Sequence, residues 1–201
     1  MNTNMYYDKD PIEQSYDELK NHSINLVKTF CKINNIEPIS SINFKNIKKS
    51  DYTGMYWFVE KKIDIVENRI IKPTKIPGYK WSYPGYKADK TIIGVLAHET
   101  GHHVDNCLNL LKENESKLDF IFLCSKISSY EPDKREAFAE TMRLFITNPD
   151  LLKIYSPERY IVLTEYFGFK PVITDKWDKV LQYANEKYFN AINRVLKKTK
   201  K

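Results

Sequence analysis

Cysteine and glycine are scarce in this chain, and long apolar runs are missing. The 201 residues include three cysteines, Cys31, Cys107 and Cys124. An odd number at unpaired spacing argues against a disulfide-stapled scaffold, and the thiols read as reduced core residues compatible with the cytoplasm. No apolar stretch reaches the length of a bilayer span. The opening Met1-Asn2-Thr3-Asn4-Met5-Tyr6-Tyr7-Asp8 lacks the basic-then-apolar order of a secretory leader. As written, the chain is expected to be soluble and cytoplasmic, with no membrane partner; release by another route stays open. Six glycines and nine prolines are scattered rather than gathered into a linker. Residues 1–201 are therefore expected to form one domain with a sizeable core.

The net charge is +6 and the chain ends Lys197-Lys198-Thr199-Lys200-Lys201. Acids and bases elsewhere are interspersed rather than gathered into a stripe, and no nucleic-acid motif is present. Nucleic acid is not expected as a partner, while an acidic protein surface or substrate stays compatible.

What is present is His98-Glu99-Thr100-Gly101-His102. Residues four apart lie one above the other on a helix, so both imidazoles face the same way and can bind one Zn²⁺. Glu99 follows the first histidine, where its carboxylate can lean over the metal and take a proton from a bound water without ligating. The flanking runs Thr91-Ile92-Ile93-Gly94-Val95-Leu96-Ala97 and Val104-Asp105-Asn106-Cys107-Leu108-Asn109-Leu110-Leu111 continue at helical spacing. One long, largely buried helix is expected over about 90–113. Two core histidines satisfied by hydrogen bonds would also fit an apolar helix, but a buried glutamate between them would then be costly and unexplained. Gly101 points to close packing or function, since a mid-helix glycine costs roughly 1 kcal/mol against alanine. His103 points about 100° away around the helix and cannot join the same ion. His22, without acidic or histidine company, reads as a surface or packing residue.

A catalytic zinc usually takes three protein ligands and leaves the fourth position for water. A histidine six residues past His102, with a glycine three residues past it, would mark one class of zinc protease. Those positions hold Leu108 and Asp105, which excludes it. A glutamate on a later helix is the remaining common solution. Arg135-Glu136-Ala137-Phe138-Ala139-Glu140-Thr141-Met142-Arg143-Leu144-Phe145 supplies two carboxylates at i and i+4, on one helical face. Glutamates on helices commonly form a solvated charged face. Here alanine and apolar neighbours favour a helix with its acids turned toward a cation. We assign Glu136 to the metal and Glu140 to a hydrogen bond from a zinc-bound histidine, although either glutamate fits the ligand role by position.

His98-Glu99-Thr100-Gly101-His102-His103-Val104-Asp105, then Tyr130, then Glu136-Ala137-Phe138-Ala139-Glu140 together resemble the catalytic domain of anthrax lethal factor and the clostridial Pro-Pro endopeptidases. The likeness spans about residues 70–170. It implies a zincin-like metalloprotease with His98, His102 and Glu136 as zinc ligands, Glu99 as general base and Tyr130 as the phenol that stabilises the oxyanion. In that family the tyrosine precedes the ligating glutamate by seven residues; here the seventh position is Ser129 and Tyr130 stands one closer. From the residues alone, a tyrosine ahead of a ligand helix is either a donor to developing negative charge or a half-buried core aromatic.

Asp10-Pro11-Ile12-Glu13 reads as a helix start, with an apolar stripe of Ile12, Tyr16, Leu19, Leu26, Val27, Phe30 and Ile33 following it. Between Pro38 and Lys72, Ser41-Ile42-Asn43-Phe44, Tyr56-Trp57-Phe58-Val59 and Ile63-Asp64-Ile65-Val66 predict a small sheet. One of these strands is expected to be the edge strand that zincins place beside the cleft for an extended peptide. Pro77-Gly78-Tyr79-Lys80 and Pro84-Gly85-Tyr86-Lys87 mark turns around Trp81 and Tyr83, either a local surface loop or a rim to the cleft. Helices are predicted over 117–127, 133–147, 157–167 and 174–198, separated by Asn148-Pro149 and Gly168.

The expected architecture is α+β: a small mixed sheet packed on a long active-site helix, with a first helix and sheet over 1–90 and a helical part over 91–201. The expected activity is that of a monomeric zinc endopeptidase with one Zn²⁺ per chain, acting on a protein or peptide substrate. The alternative is a non-catalytic zincin-fold protein that uses a basic surface to hold a protein or nucleic-acid partner.

Overall fold

The computed structural model describes residues 16–70, 89–113, 119, 126–128 and 130–172. The helix start at Asp10, both proline-glycine turns, most of the helix expected over 117–127 and the helix expected over 174–198 lie outside these residues.

Helix α1 spans Tyr16–Ile33. Leu19, Leu26, Val27 and Phe30 of its apolar stripe are buried, whereas Ile33 in the last turn is exposed. Asn35 ends the helix in the left-handed region, and the Ile36 amide reaches back to the Cys31 carbonyl at 2.9 Å, which closes the last turn. Asn34 then ties this end to the segment that holds Lys170: its side chain donates to the Lys170 carbonyl and accepts from the Lys170 amide.

Strands β1 (Ser41–Lys45), β2 (Gly54–Trp57) and β3 (Lys62–Val66) form a mixed sheet in the order β1-β3-β2. β1 runs parallel to β3 and β2 antiparallel to it. The central strand buries Ile63, Asp64, Ile65 and Val66. A buried aspartate needs partners, and Asn43, Lys45 and Trp57 from the two edge strands all donate to Asp64. Burial alone would raise its pKa; these donors hold it below the ordinary value. The strand expected over 56–59 is displaced. Pairing of Gly54 with Ile65 and Trp57 with Lys62 leaves Phe58 and Val59 in the connecting turn, which closes through Lys61 at φ 50°.

Helix α2 spans Ile92–Leu108, and every residue from Ile92 to Val104 is buried. Thr91 caps it, accepting from the Gly94 amide at 3.1 Å. The single helix expected over 90–113 is broken. Asn109 adopts left-handed φ 50° and ψ 35°, and a short helix α3, Leu110–Glu113, restarts beyond it. Asp105 accepts from the Leu111 amide across the break.

Helix α4 spans Lys134–Thr147 and is capped by Asp133, which accepts from the amides of Arg135 and Glu136. α5 (Pro149–Tyr155) was not expected: Asn148-Pro149 reads as a separator, yet proline at the first helical position starts a helix as readily as it ends one. The helix expected over 157–167 is α6, Pro157–Ile161, continued by a wider π-type turn, Val162–Tyr166. Ile127, expected in a helix, lies in a bend.

The core lies between the sheet and the helices, where Leu26, Val27 and Phe30 of α1 meet Ile63, Ile65, Leu96, Phe138, Met142 and Phe145. The fold is thus α+β, with a small mixed sheet against helices. Among the described residues, no helix is long and apolar enough to cross a membrane. Cys31 is buried, Cys107 is half-buried, both are free thiols, and burial pushes Cys31 up to about 12.

Candidate metal centre

Two glycines set how closely the elements around the site approach. A Cβ at Gly101 would lie 2.7 Å from the Ala139 Cα, so α2 and α4 touch backbone to backbone at the middle of the His-Glu motif. A Cβ at Gly54 would lie 2.6 Å from Glu99 Oε1 and 2.5 Å from Val95 Cγ1. β2 is therefore pressed against the face of α2 that carries Glu99, and among the described residues it is an edge strand.

The first contact brings Glu136 and Glu140 of α4 to the histidines of α2. One ligand atom each from His98, His102 and Glu136 lies within 4.8 Å of the others, a group that could hold a metal ion. Glu136 Oε2 is 3.0 Å from His98 Nε2, and its Oε1 is 3.4 Å from His102 Nε2. Glu140 stands behind, accepting from His98 Nδ1 at 2.8 Å. Arg143 donates to Glu140 through Nε and Nη2, both at 2.9 Å, with its guanidinium fully buried. His98 is thus oriented by a carboxylate that is itself held by an arginine.

The electrostatics are those of a cation site. Burial alone would lower the His98 pKa, but hydrogen bonds to Glu136 and Glu140 raise it to about 10. Burial would raise Glu136, and the two histidines instead hold it far below the carboxylate range. Glu140 is likewise held far down, by Arg143 and His98 against its own burial. Two nitrogens and one oxygen, the ligand atoms of His98, His102 and Glu136, make a donor set that suits a cation such as zinc. His102 Nδ1 is buried with no hydrogen-bond partner among the described residues.

Glu99 is buried beside this group and faces a cleft of about 250 Å³. Its pKa is raised above the ordinary value, chiefly by burial and with a contribution from Glu136, against the lowering by His98, His102 and an amide hydrogen bond from Tyr56 of β2. Thr53, Gly54, Val95, His98 and Tyr130 line the same cleft, which runs on to Asp51, Arg69 and Lys90. The Tyr130 ring lies 5.7 Å from the His98 ring, centroid to centroid, and is 48% exposed. Burial of its phenol and the carboxylates of Glu136, Glu99 and Glu140 raise its pKa.

His98, Glu99, His102, Tyr130, Glu136 and Glu140 are therefore brought together. His103 faces away, as its place on the helix requires. Its Nε2 donates to the Glu37 carbonyl at 2.6 Å, and its Nδ1 lies 3.1 Å from the Tyr56 hydroxyl, which also accepts from Asn106. Burial lowers its pKa. Sequence reasoning passed over Asp89, Glu131, Arg143 and Arg159, all buried. For Arg143 a signal existed, a charged residue three past Glu140 inside an apolar helical run; Glu131 and Arg159 find each other only through the fold.

No known protein family, curated protein or solved structure matches the chain.

Proposed function

We propose that this protein is a zinc-dependent endopeptidase with a zincin-type site. The observation that carries the proposal is the convergence of His98, His102 and Glu136 within 4.8 Å beside Glu99, at the wall of an open cleft. The resemblance of the same residues to the lethal factor and Pro-Pro endopeptidase motifs agrees with it.

His98, His102 and Glu136 would hold the ion, and Glu140 with Arg143 keeps His98 in the orientation that ligation needs. Bound there, zinc supplies Lewis acidity and makes a water nucleophilic near neutral pH. Glu99 removes the proton from the attacking water and returns it to the leaving amine. Tyr130, whose ring lies beside that of His98, donates a hydrogen bond from its hydroxyl to the oxygen that gains charge. β2 is the edge strand beside Glu99, where an extended peptide can add by main-chain hydrogen bonds and present its carbonyl to the site.

Purified wild type, Glu99→Gln and Glu136→Ala decide the matter when zinc content and hydrolysis of a peptide library are measured together. We expect near-stoichiometric zinc in wild type and Glu99→Gln, turnover in wild type alone, and zinc lost with Glu136→Ala. Activity retained by Glu99→Gln would sink the mechanism, and a wild type free of zinc after growth with the metal would sink the proposal.

A further inference from the structure

We infer that Glu131 and Arg159 form a buried clamp that positions Tyr130 over the metal centre; the chemistry assigned to Tyr130 rests on the peptidase reading above. Tyr130 sits just ahead of α4 and is half exposed, so its own packing does not hold it in place. The residues around it do. Glu131 Oε1 accepts from the backbone amides of Ile127 and Ser128, each at 2.8 Å, and the Ser128 hydroxyl accepts from the Tyr130 amide at 3.1 Å. These bonds gather Ile127, Ser128 and Tyr130 around the Glu131 carboxylate ahead of α4.

This cluster is then fixed to the ligand helix. Glu131 Oε2 accepts from Arg159 Nη2 at 3.0 Å, and both side chains are almost fully buried. Arg159 Nη1 donates to Thr141 Oγ1 at 2.9 Å and reaches the Ala137 carbonyl at 3.5 Å. Ala137 and Thr141 each follow one of the two site glutamates by one residue. The same α4 backbone that places Glu136 and Glu140 thus anchors the arginine that holds Glu131. A buried ion pair of this kind is weak as a source of stability, because well-packed apolar residues of the same volume often do as well. What apolar residues cannot do is direct two amides and an arginine fork to fixed points. Glu131 and Arg159 are positioning residues: they act on the reaction through Tyr130.

The test is a double-mutant cycle on the zinc-loaded enzyme, pairing Arg159→Met and Glu131→Gln with Tyr130→Phe. In the Tyr130 background each clamp variant is expected to lower kcat by about tenfold or more, with KM changed less than about twofold. In the Tyr130→Phe background the same changes should cost no more than about twofold. Equal losses in both backgrounds would overturn the inference, since a general loss of folding does not depend on the phenol. Arg159→Lys, which keeps the charge and one donor direction, should recover part of kcat.

A second readout needs neither metal nor turnover. With labelled aromatic rings, the zinc-free wild type should show a nuclear Overhauser contact between the Tyr130 and His98 rings. That contact should vanish in Glu131→Gln while the amide signals of α4 stay in place; its persistence there would overturn the clamp. If wild type loads zinc and cleaves nothing, the peptidase reading fails, and the ring contact alone then decides whether the clamp exists.

Discussion

Asp89 shows how a single residue sets a pH dependence for the whole chain. Its Oδ1 accepts from the Thr91 amide and hydroxyl at 2.9 and 2.8 Å, while Oδ2 is buried with no hydrogen-bond partner among the described residues. Burial raises its pKa, against a lowering by Arg143. The unfolded chain releases this proton near pH 4. The folded protein keeps it longer, so the contribution of Asp89 is fully present below pH 4 and is lost as pH rises through the folded pKa. Asp89→Asn preserves both bonds to Oδ1 and removes the buried charge. Its stability in denaturant should therefore gain on wild type as pH rises from about 4 to 8. A difference that stays constant over that range would refute the assignment.

At the scale of elements, the meeting of α2 and α4 makes the site. Gly101 is a point of close approach, where a Cβ would lie 2.7 Å from the Ala139 Cα and 3.0 Å from the Met142 Cβ of α4. Gly101→Ala has to push the helices apart, because the obstacle is backbone rather than a flexible tip. Overpacking of this kind costs roughly 1–3 kcal/mol, offset in part by the better helix propensity of alanine. The expected result is a lower melting temperature together with weaker zinc binding, as Glu136 withdraws from the histidines; a stability loss with unchanged zinc affinity would show that the helix contact does not govern the site. Glycine at 101 was readable as a sign of close packing, but which element it packs against was not. The Asn109 break in the expected helix was hidden because the apolar spacing continues through it into α3.

For the whole molecule, the His98-His102-Glu136 group that could hold a metal ion bridges the sheet-facing helix α2 and the later helix α4. A ligand that binds only the folded state stabilises it by mass action, about 2.7 kcal/mol at a hundredfold excess over Kd. For a chain of this size each kcal/mol moves the melting temperature by roughly 2–4 °C. Zinc added to chelator-treated protein should therefore raise the melting temperature by several degrees, and Glu136→Ala should abolish the shift. Glu140→Ala should only reduce it, because Glu140 orients a ligand without being one. An unchanged shift in Glu136→Ala would remove that residue from the ligand set.

The sequence by itself determined the helical face that carries His98, Glu99 and His102, because a spacing of four residues is enough to stack two imidazoles. It also determined the pair of candidate carboxylates on one face of α4, the opposite heading of His103, and the α+β character of the chain. Only the tertiary structure decided which glutamate meets the histidines and which stands behind, since Glu136 and Glu140 are equivalent by periodicity and differ only in where α4 crosses α2. It alone showed that β2 is the edge strand beside Glu99, and that Glu131, Arg143 and Arg159 are buried around the site. Those assignments rest on contacts between residues far apart in the chain, and periodicity along one element carries no record of its neighbour.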